Sequence, residues 1–227
     1  MNPTIIKSDQ ELLGLLKDPK FSIYYENLIS KNQVMNLTNI TEKTEVYEKH
    51  FYDSIILSKV FDLKNKSLLD IGAGAGFPSL PLKIVEPNLS VTIIDSLNKR
   101  INFLQELTQK LAISDVLLIH GRAEEMDKTN LYDLVTARAV AKLNILSELA
   151  LPFVKLNGFF VAYKSIKYEE ELQEAISAIT KLGGKLENIY VYNINSEIKH
   201  TLIVIKKVKT TPTIYPRNFG KIKKSSL

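Results

Sequence analysis

Three glycines at alternate positions, Gly72-Ala73-Gly74-Ala75-Gly76, follow directly on the short apolar run Ser67-Leu68-Leu69-Asp70-Ile71. Such a stretch turns a chain sharply and lets bare backbone approach a ligand to contact distance, and a helix starting behind it offers N–H donors to a carboxylate or phosphate. Asp95 closes the next apolar run, 23 residues beyond Gly72, where an acid accepts hydrogen bonds from ribose hydroxyls. Gly121-Arg122-Ala123-Glu124-Glu125 follows the third run, and its small residue and acids suit an adenine amine. Arg138 stands alone in Thr136-Ala137-Arg138-Ala139-Val140, a setting in which a cation needs a partner: a structural acid, a ligand carboxylate, a phosphate or a base edge. The chemistry indicated is the holding of a nucleotide-like molecule. A dinucleotide fingerprint wants a third small residue where this chain has Phe77, so that pattern fails and Gly-x-Gly-x-Gly remains. The same glycines also suit a tight turn that holds no ligand.

These residues need a scaffold that brings strand ends together. Short apolar runs at Ser67–Ile71, Val91–Asp95, Val116–His120, Asp133–Thr136 and Phe159–Tyr163 alternate with helical patterns at Leu80–Val85, Ile101–Leu111 and Leu143–Val154. Alternation of this kind implies a mostly parallel sheet with helices on both faces. Leu172, Ile176 and Ile179 mark a further helix, and Leu186–Tyr192 with His200–Ile205 read as an edge hairpin, giving seven strands. The expected organisation is a helical extension over 1–62, with apolar spacing from Ser8 and a break at Asn36-Leu37-Thr38-Asn39, then a core domain over 63–209 and an irregular basic tail over 210–227. Tyr24, Tyr25, Tyr190 and Tyr192 are read as packing residues, and His120 and His200 are given no role.

The motifs together resemble the glucose-inhibited division protein B family, bacterial small-subunit ribosomal RNA guanine-N7 methyltransferases. The resemblance runs nearly end to end: Asn36-Leu37-Thr38, His50-Phe51-Tyr52-Asp53-Ser54, Leu69 through Pro78, Asp95-Ser96-Leu97-Asn98-Lys99-Arg100 and Tyr215-Pro216-Arg217. Asp70 ahead of the glycines matches the first motif of Rossmann-like S-adenosylmethionine methyltransferases, the fold so implied. The resemblance implies S-adenosylmethionine as cofactor, held at Asp70, Gly72, Gly74, Gly76, Phe77, Ala123, Glu124 and Arg138, with Asp95 and Ser96 on the ribose side. It also implies 16S ribosomal RNA, or the small subunit, as partner. Asn98 and Asn218-Phe219-Gly220 depart from the family's usual run.

Methyl transfer from a sulfonium is an in-line displacement, so alignment is the protein's chief contribution. Guanine N7 carries a lone pair and no proton, and no general base is expected, in keeping with the lack of a His–acid constellation in the sequence. Zero cysteines exclude a disulfide framework, a thiolate metal site and the cysteine nucleophile of pyrimidine C5 methylation. The Asn/Asp-Pro-Pro-aromatic motif of exocyclic-amine methyltransferases is missing where Ala137-Arg138-Ala139-Val140 stands. Arg138 and Lys164 are the candidates for guiding the base.

The formal charge of +5 is uneven: the last 30 residues hold eight Lys or Arg and no acid, leaving 22 basic against 25 acidic residues in the remainder. Such a terminus suits a polyanion, or merely solubility. Lys206, Lys207, Arg217, Lys221, Lys223 and Lys224 are the expected RNA contacts, with Asn36 and His50; Asn36 and Thr38 equally suit local main chain, and His50 with Asp53 a charge pair, a cap or packing. Removal of the residues after Thr210 is expected to weaken RNA binding and spare the cofactor. No metal, no membrane, a monomer and a cytoplasmic location complete the expectation, since the start lacks a cationic region followed by an apolar stretch and no run approaches about 18 apolar residues. A nicotinamide-dependent oxidoreductase and a non-catalytic ribosome-assembly protein are the alternatives.

Overall fold

The structure is a computed structural model describing residues 2–7 and 10–227. Among the described residues eight strands form one sheet: β1 (Thr4–Ile6), β2 (Ser67–Ile71), β3 (Ser90–Asp95), β4 (Val116–His120), β5 (Tyr132–Arg138), β6 (Val154–Ser165), β7 (Gly184–Asn193) and β8 (Lys199–Lys207). Their order is β1-β7-β8-β6-β5-β2-β3-β4. β2, β3, β4, β5 and β6 run parallel, and β8 is antiparallel to both β6 and β7. The parallel body and the antiparallel hairpin are as expected, but the hairpin does not form the sheet edge, because β1 lies outside β7. The eighth strand is the difference: β1 pairs in parallel with β7, aligning Thr4 with Tyr190, so the amino-terminal segment contributes a strand to the sheet. The expected helical start at Ser8 lies outside the described residues.

Nine α-helices accompany the sheet among the described residues: α1 (Gln10–Leu15), α2 (Pro19–Met35), α3 (Lys43–Val46), α4 (Asp53–Ile55), α5 (Ser79–Val85), α6 (Asn98–Lys110), α7 (Leu143–Ala150), α8 (Glu169–Lys181) and α9 (Phe219–Lys224). α2 starts where it does because Asp18 accepts from the Lys20 amide at 2.8 Å and Pro19 needs no donor there; it stops at Asn36, whose left-handed φ of 49° turns the chain out of the helix. Between α3 and α4 lies a π-helical turn, Tyr47–Tyr52, which carries His50 and delivers Asp53.

The core has two halves, one on each face of the sheet. Phe21, Tyr24 and Leu28 of α2 and Phe51 of the π turn pack with Ala75, Phe77 and Leu104, so the helical extension shares one core with the strands. Phe21 and Tyr24 lie 5.0 and 5.1 Å from the Phe51 ring in tilted arrangements that aromatic pairs favour. On the other face α7 and α8 cover β5, β6 and β8, together with Tyr215 and Ile222. The tail expected to be irregular therefore ends in a helix, α9, that buries an isoleucine. Among the described residues no helix is long and apolar enough to cross a membrane.

Candidate functional site

The strand order reverses at β2: β3 and β4 lie to one side and β5 and β6 to the other. In open parallel sheets ligands bind outside the carboxyl ends of strands at such a switch point. The Gly72–Gly76 turn stands at that place, with Gly72, Gly74 and Gly76 at φ of +70°, +61° and +100°. Gly76 is required by packing, because a Cβ there would meet Tyr24 Oη at 2.6 Å and Leu80 at 2.8 Å. Gly74 is different: a Cβ there would meet nothing within 4 Å.

On the β3–β4 side the turn borders a cavity of about 250 Å³. Gly72, Asp95, Ser96, Ala123 and Glu124, all expected at a cofactor site, line it together. The Asp95 carboxylate accepts from the Gly74 amide (3.1 Å), the Leu97 amide (2.9 Å) and Arg100 Nη1 (3.2 Å), tying the glycine turn to β3. A carboxylate has about four acceptor positions, so capacity for one ligand hydroxyl remains. Glu124 is held near Arg122 Nη1 at 3.9 Å. Open space before Gly74, a carboxylate with a spare lone pair and the apolar residues Ile71 and Ile94 fit a nucleoside-bearing ligand. Arg100, Val140, Leu149 and Phe219 also line the cavity and were not foreseen.

The cavity does not collect every expected residue. Asp70 lies wholly buried beneath the turn, accepting from the Ser79 amide at 3.1 Å. Burial raises its pKa to about 7, against the lowering pull of the Ser79 hydrogen bonds and the Arg138 charge. Phe77 and Arg138 lie outside the cavity lining, in a second cluster. Phe77 stacks on His50 (ring centroids 4.7 Å apart) and on Tyr24 (5.4 Å), with the Arg138 guanidinium 4.9 Å from its centroid.

Arg138 Nη1 donates to Asp53 Oδ2 at 2.7 Å; the carboxylate is 1 % exposed and the guanidinium side chain 14 %. The other oxygen of Asp53 accepts from Tyr192 Oη and bonds His200 Nδ1, each at 2.8 Å. Burial alone would raise the Asp53 pKa, but the His200 hydrogen bond and the Arg138 charge bring it below its ordinary value, so the ion pair persists at neutral pH. His50 faces Arg138 Nη2 at 3.4 Å through Nδ1 and Thr38 Oγ1 at 2.7 Å through Nε2. Burial, then the Arg138 charge, lower its pKa to about 4, and a neutral ring accepts at Nδ1 while Nε2–H donates to Thr38. Thr38 is positioned by Asn32, whose Oδ1 accepts from the Leu37 and Thr38 amides at 2.7 and 2.9 Å. Asn36 caps α2, so the Asn36–Thr38 loop satisfies local main chain and supports His50. Asp53 pairs with Arg138 and His200 rather than with His50, and His200 and Tyr192, read from sequence as without role and as packing, hold the carboxylate.

Three further expected residues sit elsewhere. Lys164 bonds Glu171 at 2.5 Å and the Ala141 carbonyl at 2.9 Å, which commits its ammonium to the start of α7. Lys207, expected at the RNA surface, is buried against the Leu151 carbonyl and Thr211, and desolvation lowers its pKa to about 8. Arg217 turns inward onto Glu148 through Nε at 2.8 Å and Nη2 at 2.6 Å. Aliphatic stems and satisfiable hydrogen bonds let Lys207 enter the core and let the half-buried Arg217 turn onto a buried carboxylate. Lys221, Lys223 and Lys224 are exposed along α9 and Lys206 is half-buried.

Comparison with known proteins matches these features to a family. The chain is 50% identical over 214 residues to the ribosomal RNA small subunit methyltransferase G of Bacillus subtilis, covering 92% of this chain and 90% of the relative. It is 52% identical over 218 residues to the protein of that name from Ligilactobacillus salivarius, covering 92% and 90%. Among solved structures, TYW2 of M. jannaschii in complex with AdoMet superposes with a TM-score of 0.59 at 19% identity, over 74% of this chain and 78% of that one. TrmN from Thermus thermophilus gives 0.57 at 17% identity, over 70% and 49%, and both likenesses bear on the fold alone. With residues 17–201 matching the family description throughout, the chain belongs to the GidB family, rRNA small subunit methyltransferase G.

Proposed function

We propose that this protein transfers a methyl group from S-adenosylmethionine to N7 of a specific guanine in small-subunit ribosomal RNA. The observation that carries the reading is the cavity at the switch point of a chain of this family, lined by Gly72, Asp95, Ser96, Ala123 and Glu124. When bound, the cofactor supplies an electrophilic methyl on a sulfonium. Asp95 accepts from its ribose, Ala123 and Glu124 take the adenine edge, and the open face of Gly74 leaves room for its amino-acid end.

The acceptor enters from the side of Arg138 and His50. N7 needs no deprotonation, so the neutral His50 and the paired Asp53 serve as supports rather than as bases. Arg138 is held by Asp53 with its ring-facing side on Phe77 and orients the acceptor's phosphate or O6. The exposed lysines of α9 with Lys206 draw the RNA backbone electrostatically. The protein acts as a soluble cytoplasmic monomer without metal.

The test is transfer of labelled methyl from S-adenosylmethionine to small subunits, and separately to protein-free RNA, from cells lacking this enzyme, followed by borohydride–aniline cleavage. One cleavage site is the expected result. Label without cleavage rejects N7, and binding to the subunit with an unmodified guanine rejects turnover altogether.

A further inference from the structure

The basic terminus, read from sequence as an RNA-binding tail, is built into the cavity wall. Two anchors fix it. Arg217 grips Glu148 with Nε, Nη2 and its own amide (2.9 Å), and the Glu148 side chain is 1 % exposed on α7. Three residues past Phe219, Ile222 is wholly buried in the core beneath α7 and α8, and Asn218 caps the short helix by accepting from the Gly220 amide at 3.0 Å. Phe219 lies between these anchors and is therefore held in place. It lines the cavity beside Leu149 and the Gly121–Glu124 turn, with the Arg122 guanidinium 5.4 Å from its ring centroid.

Resting on the reading of this cavity as the S-adenosylmethionine site, we propose that the carboxyl-terminal segment completes it: Phe219 is the aromatic wall against which the adenine packs, and the Arg217–Glu148 pair holds that wall in position. The turn at Ala123–Glu124 supplies the polar edge for a purine, and Ile71, Ile94 and Leu149 supply apolar surface for its faces. An aromatic ring adds stacking area at little entropic cost, since it has only two side-chain torsions. The consequence reverses the sequence expectation, because removing the residues after Thr210 then weakens the cofactor as well as RNA. Phe219 is a binding residue, and Arg217 and Glu148 are positioning residues.

The experiment is calorimetric titration of the full-length protein with S-adenosylhomocysteine and with adenosine, for the wild type, Phe219→Ala, Phe219→Trp and Arg217→Ala. Phe219→Ala binds both ligands about tenfold more weakly, as the loss of a base–aromatic contact does, while its melting temperature stays within a few degrees of the wild type. Phe219→Trp restores binding of both. Arg217→Ala follows Phe219→Ala for both ligands. Wild-type affinity of Phe219→Ala for S-adenosylhomocysteine overturns the proposal, and a loss for S-adenosylhomocysteine with adenosine unaffected overturns its assignment to the adenine. A wild type that binds neither ligand rejects the reading of the cavity itself.

Discussion

The two sides of the glycine turn finish the same sheet edge in opposite ways. Towards β3 and β4 the chain leaves a cavity of about 250 Å³, and Gly74 in the same turn has no neighbour for a Cβ. Towards β5 and β8 it fills the edge with its own side chains, where Arg138, Asp53, His200 and Tyr192 satisfy one another and Phe77 is covered by His50 and Tyr24. A ligand for the first side finds donors and acceptors already placed, so little reorganisation opposes its binding. A ligand for the second side competes with hydrogen bonds already made. Gly76 and Gly74, two residues apart, express the contrast within one turn: a Cβ at the first would strike Tyr24 and Leu80, and a Cβ at the second would meet nothing within 4 Å.

Substitutions on the filled side should act on stability. Asp53→Ala leaves the Arg138 cation buried without its partner and is expected to cost about 3–5 kcal/mol, read by urea unfolding at pH 7. A loss under about 1 kcal/mol would mean that the cluster is solvated and the filled side is not filled. Gly76→Ala drives a methyl into Tyr24 Oη and Leu80 at positive φ, and a loss of about 2–3 kcal/mol is expected with folding retained. The Tyr24 hydroxyl, which donates to the Ala75 carbonyl at 2.6 Å, is the contact most directly displaced.

Asp70 sharpens the comparison because it lies beneath the turn. Its folded-state pKa of about 7 exceeds the ordinary carboxyl value, so the folded protein binds the proton more tightly than the unfolded chain does. The stability this proton supplies is present at low pH and is lost as pH rises from about 4 through 7. Asp70→Asn keeps an acceptor for the Ser79 amide and is expected to be more stable than the wild type by about 1–2 kcal/mol at pH 8, with that advantage gone at pH 4. Parallel stability–pH curves for the two proteins would show that Asp70 is charged and solvated.

The part of the site that lies within one strand-turn-helix-strand unit was readable from sequence. β2, the glycine turn and Asp95 announce themselves through a switch of period, alternate glycines and a fixed spacing, and Val116–His120 is a strand at its expected bounds. β1 was not readable, because three residues at a sheet edge carry too little pattern and owe their pairing to β7. The Asp53 network was equally hidden: Tyr192 and His200 lie 139 and 147 residues away and meet Asp53 only through the β7–β8 hairpin. Arg138 carried a partial signal, since a lone cation among small residues implies a partner without naming it. For the tail the signal was present and outweighed: Asn218 ahead of Phe219 and Ile222 marks a capped helix with one apolar face, in a stretch where the density of lysine reads as a solvated arm.

The measurement that tests the two-sided account most directly is calorimetric titration of the wild type and Gly74→Val with S-adenosylmethionine and S-adenosylhomocysteine, beside their melting curves. The account predicts saturable binding of both ligands by the wild type. Gly74→Val should bind neither while still unfolding cooperatively, at a cost of about 2 kcal/mol from the strained φ. Wild-type affinity in Gly74→Val would contradict it, because the open side of the turn would then not be where the cofactor lies.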